Sequence, residues 1–395
     1  MQEIRNVNRI TATEVDKMRV LLVTSTEKLV EKMTILNPKL KYCALVVNDV
    51  EAAKEILAKV ISSTKQIYPM EMLNEYLERL NYDYVVCVED KWWKFTLAKK
   101  VEACAVSGDK ILNFCNLPWA TNFLLERSLR YFKEHATEFE IFATGISTVE
   151  KGIDPAKFKR KLFNFGRGSQ DLYYNFQVAK FAVACSANKL RYALIGLAPY
   201  SFHYDLSSTV KFKYMMLQYF IAFKDLHNFF VPVEVYENFF RKEYLATQVS
   251  LKGFNVNVPY GANSKLVKAM INPLDSLSGI HTWEGKYYPK TRNENIKILD
   301  DYLRLCEENN IRPIMFRVPV TEKYIQSFNK QLLEEFDTLV AQACQKYSSA
   351  IFVDSWKWSG LTYADFHDHE HLNTHGAAKF SAYLNEFIEH LDNGD

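Results

Sequence analysis

The chain has 395 residues, 48% hydrophobic and 24% charged, enough apolar material to bury full cores in two or three ordinary domains. Only 13 Gly and 11 Pro exclude collagen-like and long low-complexity readings. Forty-nine Lys+Arg against 47 Asp+Glu leave a net charge of +2, too balanced for a chain that works by neutralising nucleic-acid phosphates. Seven cysteines without a CxxC pair read as reduced thiols of a cytoplasmic protein, not as a disulfide framework. The opening residues, MQEIRNVNRITATEVDKMR, carry no apolar signal core. The longest apolar stretches, such as YMMLQYFIAF at 214–223, fall short of the roughly 18–20 residues a membrane helix needs. A soluble, cytoplasmic protein without a transmembrane segment is expected.

Residues 19–23 (RVLLV) form an apolar run closed by a polar turn that begins at Thr24. A second run, YCALVV at 42–47, leads into a helical pattern from Val50 to Ser62. The helix-like MEMLNEYLERL then precedes a third run, YDYVVCV at 82–88. A further helical segment near 91–105 ends in KILNF at 110–114. Apolar runs alternating with helical patterns predict βαβ units on a parallel sheet, an α/β domain of nucleotide-binding type over 1–119. A dinucleotide site wants G-x-G-x-x-G after its first strand, so that backbone can approach the pyrophosphate. Here the turn reads TSTEKL, without a glycine. The expectation is a Rossmann-like architecture with a degenerate nucleotide site.

Residues 120–137 predict one amphipathic helix, with Phe123, Leu124, Leu129 and Phe132 on its buried side. From Glu138 the alternation restarts, opening a second domain over 120–395. Strands are expected at EIFATG (140–145), KLFNFG (161–166), RYALIGLA (191–198), RPIMFRVP (312–319) and AIFVDS (350–355). The third and fourth are more than 100 residues apart, and 13 aromatics fall between Tyr200 and Phe240. That enrichment predicts an aromatic-rich helical insert at about 205–295; a cap over the active site or an oligomer interface are the other readings.

Three segments could carry chemistry. Ser147, in Gly145-Ile146-Ser147, follows an apolar run and precedes a helix-compatible segment. A serine there stands at the carboxyl edge of a parallel sheet, beside helix-terminal N–H groups that can hold developing negative charge. Serine is also a good N-cap, and that plainer reading stands beside it. The second segment, ADFHDHEHLNTHGAAKF, gathers Asp365, His367, Asp368, His369, His371 and His375. Asp368-x-x-His371 sets a carboxylate near an imidazole, which can fix the tautomer of a base that deprotonates a serine. A polar capping loop for the last helix is the bland alternative. Alternating His367, His369 and His371 also suit a metal, although the H-x-H-x-D-H pattern is not matched and no metal is expected. The third segment, NFGRGSQD at 164–171, has Gly166 and Gly168 on a turn that can supply an oxyanion-hole N–H, or serve as a turn only. Arg167 is a candidate for an anionic substrate or a solvated charge.

Taken in this order and at these strand ends, the segments resemble the SGNH (GDSL-like) hydrolase superfamily. The likeness is to divergent members linked to bacterial polysaccharide and cell-envelope O-acylation, and it covers about 138–395. Gly145-Ile146-Ser147 is similar to the first block, with Ser147 in the nucleophile position. The segment from Asn164 to Gln170 stands where the second block's oxyanion glycine belongs, which is Gly168 here. Asp368-His-Glu-His371-Leu-Asn is similar to the closing block, with His371 as base and Asp368 as its orienting acid. The third block departs: its usual G-x-N-D is replaced by Gly196-Leu197-Ala198-Pro199-Tyr200-Ser201, without the Asn that donates into the oxyanion hole. Ser201 or a backbone N–H is the candidate substitute.

The resemblance implies an α/β, flavodoxin-like parallel sheet and a serine esterase that removes O-acyl groups, acetyl from a carbohydrate, through an acyl-serine. Ser147 N–H and Gly168 N–H would hold the oxyanion, with Arg167 and Ser201 near the substrate. Hydrolysis needs no cofactor. An O-acetyltransferase on a glycan would use the same serine, with acetyl-CoA as donor. A non-catalytic binding or assembly protein that keeps the fold is the rival from another class. The expected partner is a carbohydrate or other small acyl ester, not nucleic acid, and a homo-oligomer is left open.

Overall fold

The computed structural model describes residues 19–27, 29, 41–58, 66–89, 96–107, 110–115, 124–209, 215–223, 225–229, 258–259, 261, 280 and 283–394. The chain divides into two compact units, with the main boundary between Leu124 and Leu125. Both are α/β, each built on an all-parallel sheet.

The first unit holds β1 (Arg19–Thr24), β2 (Lys41–Val47), α1 (Val50–Ala58), β3 (Ile67–Pro69), α2 (Leu73–Arg79), β4 (Tyr84–Glu89), α3 (Thr96–Ala103) and β5 (Ile111–Cys115). Val20, Leu21, Leu22 and Val23 are at most 1% exposed, so β1 is covered on both faces, as a central parallel strand must be. The sheet order is β3-β2-β1-β4-β5. Leu73 and Leu77 of α2 and Val101 of α3 pack on Leu21, Val23 and Val85. The three-residue edge strand β3, which ends in Pro69, is absent from the sequence reading because it is too short to show a period. In the turn after β1, Thr26 N–H donates to Asn48 Oδ1 at 2.7 Å.

The second unit opens with α4 (Leu124–Glu134), β6 (Ile141–Thr144), α5 (Ser147–Gly152), β7 (Leu162–Asn164), α6 (Leu172–Cys185) and β8 (Tyr192–Gly196). It continues with α7 (Met216–Phe223), α8 (Arg292–Glu308), β9 (Arg312–Phe316), α9 (Glu322–Gln326), α10 (Lys330–Lys346), β10 (Ile351–Val353) and α11 (Thr374–Asn393). Leu129 and Phe132 of α4 are buried, while Phe123 and the side chain of Leu124 lie outside the described residues. Phe132 meets Phe163 and Phe165 edge-on at 5.3 and 5.1 Å, which anchors α4 to β7. Of the insert expected at about 205–295, the described part includes a 3₁₀ turn at Leu206–Ser208, α7, and two 3₁₀ turns leading into α8; the remainder lies outside the described residues. No described helix is long and apolar enough to cross a membrane.

The sheet order is β10-β9-β8-β6-β7. Strand β6 pairs with β7 on one side and β8 on the other, so the chain reverses its direction of growth between β6 and β8. A crevice opens at the carboxyl ends of such a strand pair, where open α/β sheets bind ligands.

Candidate active site

Ser147 stands at that crevice, as the first residue of α5 immediately after β6. Two glycines and one asparagine hold it there. A Cβ built on Gly145 would lie 2.3 Å from Val149 Cγ2, and one on Gly196 would lie 2.1 Å from the same methyl. Val149 therefore seats α5 directly over the ends of β6 and β8, a close approach that only glycine permits. From the third strand end, the buried Asn164 Nδ2 donates to the carbonyl oxygens of Val149 and Ile153, at 3.1 Å each. Asn164 Oδ1 accepts Gly166 N–H at 2.8 Å, so one amide fixes both the serine helix and the glycine turn.

His371 arrives on the loop before α11. Asn373 caps that helix, its Oδ1 accepting the N–H groups of His375 and Gly376, while its Nδ2 donates to Ala364 O at 2.7 Å. Phe366 and Leu372 pair as an antiparallel bridge, and this folds the five intervening residues into a tight loop. On that loop His371 Nδ1 lies 3.0 Å from both oxygens of Asp368. His371 Nε2 lies 2.9 Å from Ser147 Oγ. Asp368 Oδ1 also accepts the N–H groups of Glu370 and His371, at 2.9 and 2.8 Å. Burial pushes the Asp368 carboxyl up, but the His371 ring and these two N–H groups outweigh it and hold the group below its ordinary value. Facing an ionised carboxylate, Nδ1 carries the ring proton. That leaves the Nε2 lone pair to accept Ser147 O–H.

The structure thus brings Ser147, Asp368 and His371 together. Ser147 N–H and Gly168 N–H donate to no acceptor among the described residues, and Gly168 lies beside α5, 3.6 Å from Glu150 Oε2 when given a Cβ. Arg167 is not presented to the crevice. It is 3% exposed, donates to Ser128 Oγ at 2.8 Å and lies 3.9 Å from Glu150 Oε1, and burial lowers its guanidinium pKa. Ser201 Oγ accepts Ala198 N–H at 2.9 Å, closing the turn that stands in for the third block. Of the alternating histidines, His369 Nδ1 lies 2.8 Å from Thr321 Oγ1 and His371 lies between Asp368 and Ser147, while the neighbouring His375 Nδ1 lies 2.8 Å from Asp365 Oδ1. Among the described residues they form no cluster of three ligating atoms.

Two features went unnoticed in the sequence. Asn164 sits inside the quoted NFGRGSQD segment, yet nothing in that string tells a helix clamp from a turn residue. Beside the loop, the buried Lys286 Nζ donates to Tyr200 Oη at 3.2 Å, and Tyr200 O–H donates to Glu370 Oε1 at 3.3 Å. Those partners are 86 and 170 residues apart, beyond the reach of any local pattern. Tyr200 and Glu370 also line a small cavity with Thr148, Tyr324, Phe328 and Trp356. No protein-family model matches the chain, and no curated protein matches it either.

Proposed function

We propose that the second unit is a serine esterase that removes small O-acyl groups, acetyl foremost, from a carbohydrate. The observation that carries this reading is the unbroken chain from Ser147 Oγ through the His371 ring to Asp368, with contacts of 2.9 and 3.0 Å. Ser147 Oγ attacks the ester carbonyl while His371 Nε2 takes its proton, and Asp368 stabilises the imidazolium that forms. Ser147 N–H and Gly168 N–H are the donors for the oxyanion. Collapse breaks the C–O bond to the sugar, and His371 returns the proton to the leaving oxygen. Water then repeats the sequence on the acyl-serine and releases the carboxylic acid.

The cavity that runs from Thr148, next to Ser147, to Glu370, next to His371, is walled by Tyr324, Phe328 and Trp356. The space between those rings is about that of one water molecule, which supports a methyl-sized acyl tail over longer chains. In the second unit the strand order, read from the edge as second, first, third, fourth and fifth, supports a flavodoxin-like sheet of SGNH type. In the first unit the order β3-β2-β1-β4-β5 supports a Rossmann-like assignment, with the Thr26–Asn48 contact marking a degenerate phosphate site. O-acetyl transfer uses the same residues and differs only in the acceptor.

A fluorophosphonate probe followed by peptide mapping tests the proposal. Labelling at Ser147 that is lost in Ser147→Ala and His371→Ala is the expected result. Folded wild-type protein that takes no label overturns the reading. Acetyl release from an acetylated sugar, with and without an added sugar acceptor, then separates hydrolysis from transfer.

A further inference from the structure

We infer that Asp171, Asp205 and His227 form a binding site for a divalent first-row cation such as Zn²⁺, separate from the serine chemistry. One carboxylate oxygen from each Asp and one His227 ring nitrogen lie within 4.8 Å of one another. The His227 Nδ1 to Asp205 Oδ1 separation is 3.4 Å, with side chains 6% and 2% exposed. Ligands bonded at about 2.0–2.1 Å to a tetrahedral ion stand about 3.4 Å apart, so this edge has the spacing of a metal site.

The independent observation is the ring nitrogen itself. His227 Nδ1 is buried and has no hydrogen-bond partner among the described residues. The other nitrogen, Nε2, lies 3.0 Å from Glu294 Oε1, and a ring protonated there donates to Glu294 and presents its Nδ1 lone pair to the cluster. That lone pair faces two carboxylates, an arrangement of acceptors without a donor. A ligating histidine that gives its second N–H to a carboxylate is the usual outer shell of such a metal site. The ring is further fixed by stacking on Tyr173, with centroids 3.8 Å apart.

The two carboxylates are ready for the role. Asp171 accepts Tyr174 N–H at 2.9 Å and Leu206 N–H at 2.8 Å, one on each oxygen, which leaves further lone pairs on both. Asp205 Oδ1 accepts Ser207 N–H at 2.8 Å and the Ser207 hydroxyl, and Oδ2 accepts the Ser208 hydroxyl at 3.0 Å and Asn228 Nδ2–H at 3.3 Å, donors beside which an ion would have to bind. Neither carboxylate pairs with a Lys or Arg among the described residues. Two carboxylates and an imidazole are mixed O and N ligands that suit Zn²⁺ and its neighbours. The ion would act as a clamp. Asp171 begins α6 just after the Gly168 turn, and the site joins that point to the Leu206–Ser208 turn and to His227.

The full chain, treated with chelator and dialysed, would be titrated with Zn²⁺ by calorimetry and with Co²⁺ by visible absorption. The expected result is one ion per chain, d–d bands of a low-symmetry Co²⁺ site, and a thermal midpoint raised by about 3 °C or more at saturating Zn²⁺. His227→Gln should abolish all three signals, and His375→Gln, on the separate histidine loop, should keep them. Asp205→Asn serves as the second test if His227→Gln does not fold. Wild-type protein that binds neither ion with one-to-one stoichiometry overturns the inference, and identifies His227 as an imidazolium paired with Asp205. Binding that survives in both site variants overturns it equally.

Discussion

Asn164 Nδ2 donates at 3.1 Å to the carbonyl oxygen of Val149, the residue whose side chain seats the serine helix on the sheet. The same amide bonds Ile153 O and Gly166 N–H, so it couples the position of Ser147 to the turn that holds Gly168. Asn164→Ala leaves two carbonyl oxygens and one N–H without these partners in a fully buried place. The cost should be about 2–4 kcal/mol of stability, from one to three orphaned polar groups. In the protein that still folds, kcat should fall more than KM rises, because on the proposed reading nucleophile and oxyanion donor shift against one another. Asn164→Asp keeps the acceptor for Gly166 and loses both donors, and should be at least as damaging. Unchanged kinetics in either folded variant would remove Asn164 from the positioning role.

Gly196 and Val149 make a second, reciprocal test. A methyl at Gly196 would stand 2.1 Å from Val149 Cγ2 and 3.3 Å from Phe316 Cζ, so Gly196→Ala must push α5 off the strand ends. Ser147 should then lose contact with His371, and probe labelling should slow by about 10²-fold or more, as misplacement of about 1 Å can cost. Trimming the obstacle should reverse this: Gly196→Ala with Val149→Ala should label faster than Gly196→Ala alone. Single and double variants that label equally slowly would show that the contact does not set the serine's position.

Much of the fold was legible because parallel strands buried on both faces leave continuous apolar runs. Each run read as a strand overlaps an observed one, with ends trimmed by one to three residues in most cases, as at β8, which is Tyr192–Gly196 within the expected 191–198. The edge strand β3 was invisible because three residues, one of them Pro69, carry no periodicity. In the site, the Asp368-x-x-His371 spacing is local and could be read directly. Arg167 shows where such reading stops. Its charge suggested a substrate contact, but its burial depends on Ser128, 39 residues away, and on Glu150. The Lys286–Tyr200–Glu370 chain was hidden for the same reason: hydrogen bonds between distant segments leave no spacing to find.

The contact chain from Ser147 to Asp368 predicts how variants combine. Ser147→Ala and His371→Ala should each lower the rate of acetyl-ester cleavage by about 10⁴-fold or more, and Asp368→Asn by less. On the proposed esterase reading the double variant Ser147→Ala with His371→Ala should be no slower than either single one, because the two groups would act in one proton transfer. Steady-state rates on p-nitrophenyl acetate would check this. Additive losses would mean that His371 works on something other than Ser147 Oγ.

Asp365 governs the frame around His371, and its ionisation sets a pH window. It is 1% exposed, accepts Thr362 N–H at 2.8 Å, and pairs with Lys379 and His375 at 3.0 and 2.8 Å. Burial raises its carboxyl pKa, but the Thr362 N–H and the Lys379 and His375 contacts outweigh it, and the group lies below its ordinary value. A depressed folded pKa gives stability that is fully present above the unfolded value of about 3.9 and is lost as pH falls through the folded one. Asp365→Asn should therefore be less stable than wild type by about 1–3 kcal/mol at pH 7 and pH 5, with the exposed His375 and Lys379 contributing the smaller share. Below about pH 4 the gap should narrow, and it should close once the pH passes the lower folded value and the wild-type group is neutral in both states. Because Asp365 O accepts Asn373 N–H at 3.0 Å, a looser Asp365 also loosens the cap of α11, and Ser147 labelling at pH 7 should slow with it. Denaturant titrations of both proteins at pH 7, 5 and 3 measure the gap. A gap that stays constant down to pH 3 would show that the charge of Asp365 contributes nothing to holding this loop.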